Sequence, residues 1–248
     1  MNHLDHCDAL ADEVNRFANA LSESPVDTPV PSCPGWTASD LAEHLGTVHR
    51  WAEHLVRGQA NERIASDVME FSRGPVNADW IREGGDQLCS TLRAGDPNAI
   101  MWAWGEDQHL KFWSRRQLHE TLVHRMDLEL SVGANPESTP DIACDAIDEF
   151  LINLARAAHF SPQVRQLRGD GQLLRMTATD HDGTWTVELG PSGFELSAKQ
   201  EVPTAEFVGP ATELLLVLYR RLSISNTSVE VRGDEGLAEF WLAHSALE

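Results

Sequence analysis

Arg115-Arg116-Gln117-Leu118-His119-Glu120-Thr121-Leu122-Val123-His124-Arg125-Met126-Asp127 is the stretch on which the reading of this chain turns. Leu118 and Leu122, with Leu128 just beyond the stretch, form a stripe on the opposing side, and the stretch places Glu120 and His124 at i and i+4. Residues four apart share one helix face, with Cβ atoms about 5–6 Å apart. A carboxylate and an imidazole at that spacing are a pair able to grip one divalent ion. An earlier segment, Pro34-Gly35-Trp36-Thr37-Ala38-Ser39-Asp40-Leu41-Ala42-Glu43-His44-Leu45, offers a third ligand in His44, set among the apolar positions Leu41, Leu45 and Val48. Two histidines and one glutamate leave a coordination position open, as catalytic rather than structural zinc sites do. His49 and His119 compete for the role. At about 100° per residue, His49 points some 140° away from His44. His119 is offset from His124 by the same five residues, so Glu120 is preferred.

Working outward, a first helix is expected over 4–23 and a second opens at Thr37, with Asp40 completing a capping box. Four prolines between Pro25 and Pro34 make the connection extended. A third helix is expected over 78–92, followed by a tryptophan-rich loop over 95–113. The fourth helix is expected to open with Ser114 and Gln117 as its capping box and to stop at Gly133. Four such helices imply an up-and-down bundle with ligands projecting inward. A further helix over 138–158 follows. The period then changes to alternation at 173–179, 184–189 and 194–197, with an apolar helix over 211–222, a strand over 229–231 and a closing helix. The fold class is therefore α+β. The expected domains are 1–160 and 161–248, joined by an exposed linker between Ser161 and Gln172.

The 248 residues carry 39 acidic against 19 basic side chains, a formal charge of −20. That surface repels nucleic acid and anionic membranes. No apolar run approaches the roughly 20 residues that span a bilayer. The first residues carry no signal-peptide pattern, so the expectation is a cytoplasmic protein, a monomer or weak homodimer. Cys7, Cys33, Cys89 and Cys144 are scattered with no CxxC pair, which argues against a thiolate zinc site and for reduced, structural thiols. Cys33 has no histidine or lysine beside it in the sequence to activate it.

Taken together, these motifs resemble the mycothiol-dependent maleylpyruvate isomerase family, within the DinB/YfiT-like superfamily of metal-binding four-helix bundles. The similarity rests on Pro34-Gly35-Trp36-Thr37 with Asp40-Leu41 and His44-Leu45. It rests also on Phe112-Trp113-x-Arg115-Arg116-x-x-His119-Glu120-x-x-x-His124-Arg125-x-Asp127, and on Pro210 to Arg221 with Val229 to Trp241. The resemblance implies a DinB-like bundle followed by a smaller, sterol-carrier-like α/β domain. It implies His44, Glu120 and His124 as ligands of Zn2+ or another divalent metal. It also implies Asp127 and Arg221 as catalytic, cofactor-binding residues, with Arg220 the alternative to Arg221, and mycothiol as the thiol cosubstrate.

The implied function is a zinc- and mycothiol-dependent isomerase or thiol S-transferase acting on a small electrophile, maleylpyruvate-like or xenobiotic. A coordinated thiol is deprotonated and nucleophilic at neutral pH. In an isomerase it would add to an activated C=C bond, allow rotation and leave; in a transferase it would stay attached. Arg116, Arg125 and Arg221 are the arginines available for a dicarboxylate. Two alternatives stand beside this reading: a metal-binding protein of the same fold without turnover, and a non-haem iron enzyme, since two histidines and a carboxylate also make the iron facial triad.

Overall fold

The computed structural model describes residues 1–65 and 75–246, and the chain divides into two compact units, Met1–Pro136 and Glu137–Glu248. The first unit holds four long helices: α1 (His3–Glu23), α2 (Ala38–Arg57), α3 (Ala78–Ala94) and α4 (Leu110–Ser131). Local chemistry starts each of the first three. Asn2 and Asp5 cap one another's backbone at α1, Thr37 and Asp40 do so at α2, and the Asn77 side chain accepts from Trp80 N at α3. α4 begins four residues before the expected Ser114 cap. It has no side-chain cap, and Ser114 is buried inside the helix with its hydroxyl on Lys111 O. Gly133, with φ +76°, closes α4 in the left-handed conformation that glycine adopts without strain.

α1 packs chiefly on α4 and α3, and α2 on α3 and α4, so neither α1 and α2 nor α3 and α4 are principal neighbours. Leu10, Val14 and Phe17 of α1 meet Leu41, Leu45 and Leu55 of α2, Ile81 and Leu88 of α3, and Trp113, Leu118 and Leu128 of α4 in one core. α2 and α3 approach closely because residue 46 has no side chain: a Cβ there would lie 2.0 Å from the Trp80 ring. The tryptophan loop is part of the same packing. Trp113 stacks edge-on with Trp51 at 5.3 Å and donates to Trp102 O at 3.0 Å.

The unit boundary falls after Pro136 rather than near residue 160. The change of hydrophobic period at 160 marks the start of the sheet, but the helix before it, α5 (Pro140–Ala157), already belongs to the second unit. α5 packs on α6 (Ala211–Leu218), its Phe150 ring stands 4.9 Å from Tyr219, and its Asp148 accepts from the Trp185 indole at 2.6 Å. The expected linker between Ser161 and Gln172 is held down by a single 3₁₀ turn in which Ser161, Val164 and Leu167 are buried. The exposed connecting residues are Val132–Asn135 instead.

The second unit carries a five-stranded sheet of β1 (Gln172–Ala178), β2 (Thr184–Gly190), β3 (Gly193–Leu196), β4 (Ala205–Gly209) and β5 (Glu230–Gly233). Its order is β3-β2-β1-β4-β5, antiparallel except for the β1–β4 pair, and α7 (Glu235–His244) packs on β4 and β5. β4 was not expected. It is five residues long, framed by Pro203 and Pro210, and only Phe207 and Val208 favour a strand locally, among Ala205, Glu206 and Gly209, which do not. Pairing with β1 and β5 makes it one. No helix among the described residues is long and apolar enough to cross a membrane.

Candidate metal centre

α4 is buried around most of its circumference, including the polar residues Arg116, Gln117, His119, Thr121, His124, Arg125 and Asp127. Buried polar groups persist only when paired, and most of these are. The pairs sort into a structural set and a convergent set.

The convergent set lies where α2 faces α4. His44 Nε2 stands 3.4 Å and His124 Nε2 3.3 Å from the same oxygen, Glu120 Oε1. One donor atom from each of the three residues falls within 4.8 Å of the others. Around a tetrahedral ion with bonds of about 2.0–2.1 Å, neighbouring donors sit about 3.3 Å apart, so the separations fit a small divalent cation. The other Glu120 oxygen is taken: Arg116 Nη2 donates to Oε2 at 3.0 Å. The carboxylate is thereby turned to present one oxygen. The imidazole of His124 is fixed from behind, its Nδ1 3.0 Å from Asp127 Oδ2. A carboxylate holding the far nitrogen of an imidazole selects the tautomer whose Nε2 is free to ligate. Trp36 lies against His44, ring centroids 5.0 Å apart, and leaves it partly exposed.

The electrostatics follow from this crowding. Burial pushes the Glu120 carboxyl up, but hydrogen bonds from His124 and His44 and the Arg116 charge overcome it and hold the group well below the usual carboxylate range. Burial pushes His124 down, but Asp127, Cys33 and Glu120 together raise it well above 6.5.

The structure brings His44, Glu120 and His124 together and leaves the two competing histidines out. The His119 ring lies 6.4 Å from that of His6, and His49 Nε2 lies 2.8 Å from Thr121 Oγ1. Thr121 donates its own hydroxyl proton to Gln117 O at 2.7 Å, so His49 is the donor of the pair and its Nδ1 is unprotonated. Asp127 belongs to the cluster but is fully buried behind His124, which gives it a positioning geometry rather than an open face toward a cofactor. Arg125 is not a substrate arginine. It is fully buried and donates to Glu13 and Glu129. Arg221 lies in the second unit, half-buried, with Nη1 on Tyr219 O at 2.9 Å, while Arg220 is exposed and left-handed at φ +57°. Sequence reading missed Cys33, whose Sγ lies 3.7 Å from Asp127 Oδ2.

His49 has a pH signature of its own. Burial, opposed by Glu120 and reinforced by Arg50, lowers its pKa to about 3. The folded state keeps it neutral while the unfolded chain protonates it near 6.5. Its stability contribution is therefore full above about pH 6.5 and falls by roughly 1.4 kcal/mol per pH unit below that. Urea unfolding of the wild type against His49→Gln at pH 7 and pH 5 is expected to show the wild type losing about 2 kcal/mol more than the variant. Parallel losses in the two proteins would show that His49 does not control this slope.

A helical bundle that brings two imidazoles and one carboxylate together, followed by an α/β unit, defines a two-part class of protein, and two family models match the two parts. The model described as the mycothiol maleylpyruvate isomerase N-terminal domain matches residues 7–129, and that described as the MDMPI C-terminal domain matches residues 141–240. The chain belongs to the mycothiol-dependent maleylpyruvate isomerase family. It is similar in fold to the crystal structure of the mycothiol-dependent maleylpyruvate isomerase, at 14% identity over 93% of both chains with a TM-score of 0.56. A histidine-to-alanine mutant of that isomerase aligns over the same shares with a TM-score of 0.58 at 14% identity. No curated protein matches the chain.

Proposed function

We propose that this protein is a zinc- and mycothiol-dependent isomerase or thiol S-transferase acting on a small electrophile, maleylpyruvate-like or xenobiotic. The observation that carries the reading is the convergence of His44 Nε2 and His124 Nε2 on one oxygen of Glu120. These three residues would hold the ion. Bound zinc would make a thiol at the remaining position a nucleophile at neutral pH.

The chain's own residues supply the rest. Arg116 fixes Glu120 so that one oxygen is offered, and Asp127 holds the Nδ1 proton of His124, so its influence on the thiol passes through His124. Trp36 packs against the His44 ring and limits its rotation. Arg221 is assigned to an anionic group of the thiol or the substrate, on the family resemblance and with the planar fork of donors that suits a carboxylate.

The test uses zinc-loaded protein with mycothiol, maleylpyruvate and a panel of electrophiles, with glutathione and bacillithiol as control thiols. Mycothiol-dependent conversion of at least one substrate is expected. Arg221→Ala is expected to lower turnover at unchanged zinc content. Absence of conversion with every thiol would overturn the enzyme reading and leave a metal-binding protein.

A further inference from the structure

We propose that Cys33, His124 and Asp127 form a second metal site, selective for soft, thiophilic divalent ions such as cadmium and exclusive of the Glu120 site. The three residues come from two places in the first unit: the turn before α2 and the last turns of α4. One donor atom from each lies within 4.8 Å of the others. Asp127 Oδ2 is the shared vertex, 3.0 Å from His124 Nδ1 and 3.7 Å from Cys33 Sγ. Around a tetrahedral ion with zinc's bonds of about 2.0–2.1 Å to nitrogen and oxygen and 2.3 Å to sulfur, those edges would be about 3.3 and 3.5 Å, and a larger thiophilic ion such as cadmium would spread them further. Shifts of a few tenths of an ångström in side-chain position complete the fit.

The site is built. The Cys33 turn is tied by three backbone bonds: Val30 N to Trp36 O at 2.9 Å, Cys33 N to Val30 O at 3.0 Å and Trp36 N to Cys33 O at 3.0 Å. Asp127 is fully buried and cannot turn to solvent. Cys33 is also the accessible thiol of the chain. Cys7, Cys89 and Cys144 are buried, and burial pushes their thiols up to about 11, 12 and 12.

The donor set decides the ion. A thiolate adds a soft donor that favours thiophilic ions such as cadmium alongside zinc, whereas the other cluster has only imidazole and carboxylate donors and no such preference. Binding would release the thiol proton to solvent, and thiolate plus carboxylate would neutralise a divalent charge. The two clusters use opposite nitrogens of one ring, Nε2 toward Glu120 and Nδ1 toward Asp127. A neutral imidazole offers one lone pair, so a metal at Nδ1 moves the ring proton to Nε2 and removes that ligand from the other side. This exclusivity rests on the reading of His44, Glu120 and His124 as a metal site; the Cys33 cluster itself does not.

Metal-free, full-length protein is titrated with cadmium alone while the ultraviolet cadmium–thiolate absorption is followed, with circular dichroism to establish folding of each variant. The wild type is expected to develop the band and saturate with a single ion. His44→Ala/Glu120→Gln is expected to keep the band while losing zinc affinity. Cys33→Ser is expected to lose the band and at least about tenfold of its cadmium affinity while its zinc affinity changes less than about threefold. If Cys33→Ser does not fold, Cys33→Ala takes its place. No band in the wild type at saturation, or a band that survives loss of Cys33, overturns the proposal. Zinc affinity unchanged in His44→Ala/Glu120→Gln would overturn the first cluster and leave the second standing.

Discussion

Replacing His44 and His124 together with alanine is expected to strip the protein of metal. Protein purified without added metal should carry close to one zinc ion per chain, the double variant almost none, and each single variant a minor fraction. The size of the effect follows from the geometry. Each histidine supplies one of only three convergent donors, and loss of one leaves an ion with two protein ligands and weak binding. Activity should fall with metal content, because Arg116 and Asp127 reach the cluster through Glu120 and His124. Elemental analysis of the purified variants decides the matter. Full metal content in the double variant would show that the ion binds elsewhere.

Loss of the Arg125 guanidinium is expected to be the most destabilising single change in the first unit. The side chain is fully buried, and its Nε and Nη1 donate to Glu13 of α1 and Glu129 of α4. Glu13 is itself 2% exposed and takes a second contact from Arg16 at 2.8 Å. Arg125→Met leaves the Glu13 carboxylate inside without its principal partner, which costs about 3–5 kcal/mol. That is a large share of a typical stability of about 5–15 kcal/mol. Urea unfolding should move to much lower denaturant. Arg125→Met/Glu13→Leu should recover much of the loss, because the stranded charge is gone. A loss below about 1 kcal/mol in the single variant would return Arg125 to the arginines available for substrate.

What the sequence disclosed depended on the span of each interaction. Glu120 with His124 is a one-turn contact, and the Thr37–Asp40 box spans three residues, so helical spacing was enough to find both. His44 stands out by its place among Leu41, Leu45 and Val48 and by the family motif, since rotation about the helix says only that His49 cannot share an ion with it, and His49 meets α4 as well, at Thr121. Contacts between distant segments were hidden. The partner of Arg125 on α1 could not be read, so a buried structural arginine passed for a substrate arginine. Cys33 looked inert because its neighbours His124 and Asp127 enter from α4. α5 was placed with the bundle because its own pattern is simply helical, and the face it buries is decided by α6. β4 gained its conformation from β1 and β5. Asp127 was found by family motif, but only its burial shows that it stands behind an imidazole.

The donors of the Glu120 cluster sit on two helices, His44 on α2 and the other two on α4, so a bound ion is also a cross-link inside the bundle. An ion that binds the folded chain and not the unfolded one raises unfolding free energy by about 2.7 kcal/mol at a hundredfold excess over its dissociation constant. Melting temperature therefore becomes a gauge of site occupancy that needs no knowledge of the substrate. A thiol or electrophile that completes the ion's coordination should push it higher still, which turns heat into a way of fishing for the natural reactants.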